Sequence, residues 1–219
     1  MLSQPNTIFD ILSDTYDQIV ERLNEYPSKN EAHDFPWSNL VWASNSFRRA
    51  HLDVVDVRET KKLFMMHLCI FPHTNDPSPI FGFDLIAGPK KVTGAFHDFS
   101  PVGEHFLNQW FKDRTSLLTW SKQRELPEWA KQIFSGSMIA AGNITDPEEL
   151  QILVNAVLSN LDTYLEDIGT RTHDDFLPQQ NRYCHFQKQN PHTPKVMQSL
   201  GFDEETVNRF IQDCLFPEC

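Results

Sequence analysis

Glycine is scarce in this chain, with 8 in 219 residues. Neither G-x-G-x-x-G nor G-x-x-x-x-G-K-S/T occurs, and Gly82 and Gly88 lack that spacing, so the backbone cradles that hold dinucleotides and nucleoside phosphates are excluded. No G-x-S-x-G elbow presents a nucleophilic serine. The cysteines, Cys69, Cys184, Cys214 and Cys219, include no C-x-x-C pair, and the nine histidines include no H-E-x-x-H. Cys184 and His185 are adjacent, and neighbours on a helix point apart. No residue set has zinc spacing, so no metal site is expected. In a chain of this length the cysteines read as reduced cytosolic thiols rather than a disulfide framework. Bases are also few: 19 against 30 acids gives a net charge of −11. That balance lacks the positive footprint of a general nucleic-acid binder and reads as a solubilising surface. No apolar run approaches the roughly 18 residues of a membrane helix. The N-terminal MLSQPNTIFDILSDTYDQIVERL is acidic and amphipathic, without the basic and apolar regions of a signal peptide. A cytoplasmic location is therefore expected.

Aromatic residues are plentiful: 17 Phe, 5 Trp and 4 Tyr, enough to fill a sizeable core or line an aromatic pocket. The length fits a single domain over 1–219, and no repeat or low-complexity segment interrupts it. Ile8, Ile11, Leu12, Ile19, Val20 and Leu23 recur at helical spacing within 7–26. A polar loop follows over 28–36. The pattern then changes to short runs rich in Val, Ile, Phe and Met, which predict strands at 40–44, 47–57, 62–71, 80–87 and 92–99. Their short connections, including the Gly88-Pro89 turn, favour antiparallel pairing. Helices are expected at 104–121, at 146–168 behind an N-cap at Thr145 or Asp146, and in shorter pieces at 183–189, 196–200 and 204–215. One more strand falls within 133–141. Helices before and after a sheet predict an α/β fold, a three-layer α/β/α sandwich with a central, mainly antiparallel sheet.

One charged residue interrupts the strand PIFGFDLIAG: Asp84, between Phe83 and Leu85. A carboxylate in such a run is costly to bury unless paired, hydrogen-bonded or protonated. His67 occupies the apolar strand before it, in LFMMHLCIF, and Asp53 the strand before that, in RAHLDVVDV. On an antiparallel sheet all three can reach one face. Burial raises a carboxylate pKa and lowers an imidazole pKa, so such a cluster can share a proton near neutrality. Each also has a plainer reading: His67 as a satisfied core residue, Asp53 as the solvent-facing member of an alternating strand. On residue pattern alone, the chain is an α/β domain with a candidate acid/base pocket.

At these residues the sequence resembles the ferredoxin-dependent bilin reductases. The resemblance is carried by RRAHLDV, MMHLCIFP, PIFGFDLIAGPKKVTGAFHDFSP, QRELPEWAKQIFS, RYCHFQKQNPHTPKVMQSLGF and FIQDCLFPE, in the family's order from Arg48 onward. It implies an α/β/α sandwich that binds biliverdin IXα between the sheet and the C-terminal helices, as a monomer. It implies no bound metal, flavin or nicotinamide, with external reduced 2Fe-2S ferredoxin supplying single electrons and the protein supplying protons. Asp84 falls on the family's proton-donating aspartate and His67 on the histidine of the preceding strand. Asp53 falls where phycocyanobilin-forming members carry glutamate, and Asn190 where members carry Asn or Asp. Thr93 falls on a hydroxyl residue that touches a substrate propionate, and His192 replaces a lysine near a propionate. Phe83, beside Asp84, joins the expected substrate-binding set. The arginine that grips a propionate from the region 138–143 has no counterpart in the sequence there.

The implied reaction is reduction of biliverdin by alternating electron and proton additions through radicals, with Asp84 starting protonated. An aspartate at position 53 is one methylene shorter than glutamate and stands about 1–1.5 Å further from a vinyl group, while proton transfer needs hydrogen-bond reach. This favours a four-electron product, phycoerythrobilin by way of 15,16-dihydrobiliverdin, over phycocyanobilin. A non-catalytic bilin carrier and a ligand-free interaction domain are the competing readings. Cys69 shares the face of His67, which leaves thioether attachment open. Arg48-Arg49, Lys61-Lys62 and Lys90-Lys91 are the basic pairs expected at strand ends, where an acidic ferredoxin would dock.

Overall fold

The computed structural model describes residues 7–29, 31 and 35–219. The N-terminal Met1 to Asn6, and 30 and 32–34 of the expected 28–36 loop, lie outside the described residues. Helix α1 (Ile8–Leu23) starts where Thr7 and Asp10 close a reciprocal capping box. It leads into β1 (Ser38–Trp42) and β2 (Phe47–Val57). A four-residue helix, α2 (Arg58–Lys61), fills the next turn and ends at Lys62 in the left-handed region. Strands β3 (Leu63–Pro72), β4 (Ile80–Gly88) and β5 (Lys91–Ser100) follow, then α3 (Phe106–Thr115), β6 (Ile139–Ala141), and α4 (Pro147–Asp167) capped by Asp146. The chain ends in α5 (Leu177–Gln187), α6 (His192–Ser199) and α7 (Glu204–Arg209), the last widening into a π-helical turn over Phe210–Leu215. No helix of the described residues is long and apolar enough to cross a membrane.

All six strands pair antiparallel in the order of the sequence, β1 to β6. The expected sandwich is present, with a wholly antiparallel sheet. Strand 133–141 shrinks to Ile139–Ala141 because Ser135-Gly136-Ser137 turns ahead of it, and the helix expected at 104–121 stops at Thr115. Strand alternation divides the apolar residues between two cores. Leu52, Leu68, Phe83 and Leu85 face α1, α3 and α4, where Leu150, Leu153, Val157 and Leu161 of α4 complete the larger core. Burying each such aliphatic chain contributes about 1.5–3 kcal/mol. Tyr164 of the same helix closes the layer by donating to the Pro79 carbonyl at 2.7 Å. Val55, Cys69 and Phe71 face the other way, against Tyr183, Met197 and Phe210 of the C-terminal helices.

Candidate active site

Register across the sheet assembles the site. Asn39, Asp53, His67, Asp84, Phe96 and Ala140 are successive partners on the six strands, so their side chains form one row on the face toward the C-terminal helices. On one side runs an apolar row, Val55, Met65, Ile86 and Gly94; on the other, His51, Cys69, Gly82 and Asp98. Along β4, Gly82, Asp84 and Ile86 on this face are half-buried, while Phe81, Phe83 and Leu85 on the opposite face are fully buried. The row that carries Asp53, His67 and Asp84 therefore borders an apolar row in which Met65 and Ile86 are half-buried and Val55 and Gly94 are buried.

Asp53 is 4% exposed, and its Oδ1 lies 3.5 Å from Nδ1 of His67. That is ion-pair distance but not a formed hydrogen bond, and both atoms are buried without a hydrogen-bond partner. Burial pushes the Asp53 pKa up, against the opposing pull of His67 and Arg49. Asp84 is half-buried, and desolvation is the largest cause raising its pKa; His67 opposes this, and the charge of Asp53 raises it further. Two carboxylates flank one imidazole, an arrangement that shifts Asp84 toward its protonated form. Phe216, beyond the π-helical turn, sets its ring against His67, centroids 5.6 Å apart, and against Tyr183 at 6.3 Å.

The other expected residues are placed less uniformly. Phe83 sits on the opposite face of β4, 1% exposed in the larger core, because residues adjacent to Asp84 point away from its side. It cannot line a site shared with Asp84. Thr93 is the extra residue of a bulge, where Ile86 pairs with Gly94 and Ala87 with Val92, and its hydroxyl donates to the Ile86 carbonyl at 3.1 Å. Asn190 and His192 meet at the α5–α6 junction, where the Asn190 carbonyl oxygen accepts from the backbone N–H of His192 at 3.0 Å. Neither is bonded to the carboxylate row. Cys69 does share the face of His67, but it is fully buried and desolvation pushes its thiol pKa far up, which removes it as a thioether nucleophile.

Several residues of this face were not anticipated. Arg124 runs beside β6, its N–H donating to the Ala140 carbonyl at 2.8 Å, its side chain filling the space above Gly142, and its guanidinium donating to the Thr93 carbonyl. A cation thus stands next to 138–143, contributed by a segment some twenty residues earlier. Asp98, paired with Gly82, is fully buried and accepts from the Ser135 N–H at 2.9 Å, the Ser135 hydroxyl, and the Ser100 hydroxyl at 2.8 Å. Burial takes its pKa to about 6 despite these donors. The missing side chain of Gly82 leaves room for the Tyr183 hydroxyl, which would lie 3.4 Å from a Cβ there and accepts from Gln187 at 2.7 Å. His51 points its Nε2 at the Asn39 Oδ1, 3.0 Å away. With Asp53 and His67 it forms a group whose potential ligand atoms all lie within 4.8 Å of one another. The H-x-D pattern of His51 and Asp53, two apart on a strand, was the available signal for this group. On the basic pairs the structure is selective. Arg49 is 3% exposed, bound to Glu31 at 2.8 Å and to the Cys214 carbonyl, while Arg48 is half-buried and bound to Gln180, so both guanidiniums are engaged within the protein. Lys61, Lys62, Lys90 and Lys91 are exposed together at the other end of the sheet.

Known proteins share this arrangement of sequence and fold. The chain is 28% identical over 207 residues to the phycocyanobilin:ferredoxin oxidoreductase of a Synechococcus sp., spanning 89% of this chain and 81% of that one. It is 29% identical over 209 residues to the protein of the same name from Prochlorococcus marinus, spanning 91% and 83%. Among solved structures, that of PcyX superposes with a TM-score of 0.69 at 37% identity, covering 95% of this chain and 99% of that one. The fold is also that of tomato phytochromobilin synthase, solved in complex with biliverdin, at a TM-score of 0.73 and 14% identity over 94% of this chain and 82% of that one. The profile of the family described as ferredoxin-dependent bilin reductase matches residues 12–217. Fold and sequence agree: the chain belongs to the ferredoxin-dependent bilin reductases, oxidoreductases that draw electrons from ferredoxin.

Proposed function

We propose that this protein, acting as a monomer, reduces biliverdin IXα to phycoerythrobilin by way of 15,16-dihydrobiliverdin. Each of the two double-bond reductions takes two electrons, one at a time from reduced 2Fe-2S ferredoxin, and two protons from the protein, four electrons in all. The observation that carries the reading is the row Asp53–His67–Asp84 along a partly buried apolar floor. A flat tetrapyrrole lying on Val55, Met65, Ile86 and Gly94 would set its polar inner edge against that row. Asp84, whose pKa is raised by desolvation, is the proposed donor that protonates the bilin and makes it easier to reduce. His67 passes the replacement proton, with Asp53 as its partner. The propionates extend toward the sheet edge at Thr93, where the Arg124 guanidinium supplies the cation that 138–143 lacks. Asn190 and His192, at the α5–α6 junction, are proposed as further polar contacts of the substrate.

Ferredoxin is placed at the lysine end of the sheet. Lys61, Lys62, Lys90, Lys91 and Lys122 and the guanidinium of Arg124 gather there on a chain of net charge −11, and an acidic donor is attracted to that patch rather than to the rest of the surface. The product follows from the carboxylate at position 53. Asp53 reaches His67 at 3.5 Å and extends about 1.5 Å less than a glutamate would, one C–C bond, which draws the donor back from a vinyl group on the substrate. Anaerobic incubation with biliverdin IXα and reduced ferredoxin, followed by absorbance and chromatography, tests both parts. Phycoerythrobilin is expected. Phycocyanobilin as sole product overturns the product assignment, and binding without reduction overturns the catalytic one.

A further inference from the structure

We infer that His51, Asp53 and His67 form an inhibitory site for a borderline divalent cation, zinc above all, in the bilin-free protein. The three residues project from adjacent strands β2 and β3 on one face and bring two imidazoles and one carboxylate together, their ligand atoms within 4.8 Å of one another. Donors on one tetrahedral zinc stand about 3.3–3.5 Å apart, so the widest pair must close by at most about 1.3–1.5 Å. The Asp53–His67 pair, at 3.5 Å, already has that spacing. A second observation points to a ligand. Asp53 Oδ1 and His67 Nδ1 are buried within the group without a hydrogen-bond partner, and Asp53 is 4% exposed. A buried carboxylate oxygen and a buried imidazole nitrogen left in this state are costly in the bare protein, and a shared cation satisfies both.

The supporting shell is also that of a metal ligand. Asn39 Oδ1 accepts from His51 Nε2 at 3.0 Å, which puts the lone pair of the neutral ring on Nδ1 and fixes the ring orientation. Two imidazoles and one carboxylate favour zinc and cobalt over the hard cations magnesium and calcium, and leave a position for water. The consequence for catalysis rests on the bilin-reductase reading; the binding itself does not. A cation there takes the same atoms of Asp53 and His67 that would handle protons, so the metal-loaded protein is inactive until the cation is chelated. The cation then acts as an inhibitor rather than a cofactor.

The test is a Co²⁺ titration of tag-free protein without bilin, followed by visible absorbance, with displacement by Zn²⁺. One saturable Co²⁺ per chain is expected, at least about tenfold weaker in His51→Gln and in Asp53→Asn, and unchanged in His185→Gln on the exposed face of α5. Zn²⁺ should raise the thermal midpoint of the native protein and of His185→Gln but not of the first two variants. Circular dichroism checks that each variant is folded, and the near-isosteric Asp53→Asn decides if His51→Gln is not. No saturable binding, binding that survives both site variants, or binding lost equally in His185→Gln overturns the proposal. A biliverdin titration of the same preparation tests the bilin reading by itself, so either inference can fail while the other stands.

Discussion

Asp53 Oδ1 stands 3.5 Å from His67 Nδ1, and among the described residues neither atom has a hydrogen-bond partner. His67 in turn registers with Asp84 on the next strand, so a change at Asp53 is felt at Asp84 through one imidazole. Two consequences of this row, one of the lysine end of the sheet and one of the core behind it can be measured.

The first concerns the alkaline limb of the pH–rate profile. In the proposed mechanism Asp84 acts as an acid and must start protonated, and its pKa is raised by burial and by the charge of Asp53. The rate should therefore fall as pH rises through that raised value. Asp53→Asn removes the neighbouring negative charge, which lowers the Asp84 pKa and moves the limb to lower pH. Single-turnover rates of both proteins across pH 5–9 check the direction; a limb that stays in place or moves up contradicts the coupling.

Salt is the second lever. Attraction of an acidic ferredoxin to Lys61, Lys62, Lys90 and Lys91 is screened as the Debye length falls from about 10 Å at 0.1 M to about 3 Å at 1 M. The apparent KM for ferredoxin should rise several-fold over that range, while the Kd for biliverdin changes little. Lys62→Glu with Lys90→Glu should reproduce the effect at low salt. Activity indifferent to both places ferredoxin elsewhere.

His97 gives an acid-stability prediction. It is fully buried between Phe81, Phe83, Phe99 and Phe111, donates from Nδ1 to the Gly82 carbonyl at 2.8 Å and accepts at Nε2 from Asn160 at 3.0 Å. Burial depresses its pKa to about 4. A depressed folded pKa means that the unfolded chain binds the proton first. The contribution of the neutral ring is fully present above the ordinary pKa of about 6.5 and is lost as pH falls through about 4, a loss of about 3 kcal/mol in all. Denaturant unfolding at pH 7 and pH 4.5 reads the change, and imidazole ¹⁵N shifts should hold the neutral, Nδ1-protonated form at pH 5. A ring already charged at pH 5 contradicts it.

Strand patterns in the sequence were sufficient to find the row. His67 and Asp84 each stand alone among apolar residues, Asp53 sits between Leu52 and Val54 on the strand before, and antiparallel pairing across short turns leaves few registers that bring all three together. The same alternation argues against Phe83, because a neighbour of Asp84 must face away from it. Arg124, Asp98 and Tyr183 were illegible for a different reason. Arg124 reaches the site from an edge segment paired with Ala140, Asp98 lies in a strand read only for its hydrophobicity, and Tyr183 arrives from a helix docked across the sheet. Such meetings depend on tertiary packing and leave no local periodicity. Arg48 and Arg49 read as a surface basic pair, yet Arg49 is buried against Glu31, 18 residues before it, and the half-buried Arg48 binds Gln180, 132 residues beyond it.

The central claim is that Asp84 delivers the proton that makes the bound bilin reducible, and Asp84→Asn tests it most directly. Asparagine keeps the shape and cannot donate an acidic proton, so biliverdin affinity should stay within about threefold while turnover with reduced ferredoxin falls by about 10²–10⁴. Single-turnover absorbance under anaerobic conditions should show bilin bound and the conversion stalled. Turnover at the native rate in folded, bilin-loaded Asp84→Asn protein would contradict the account.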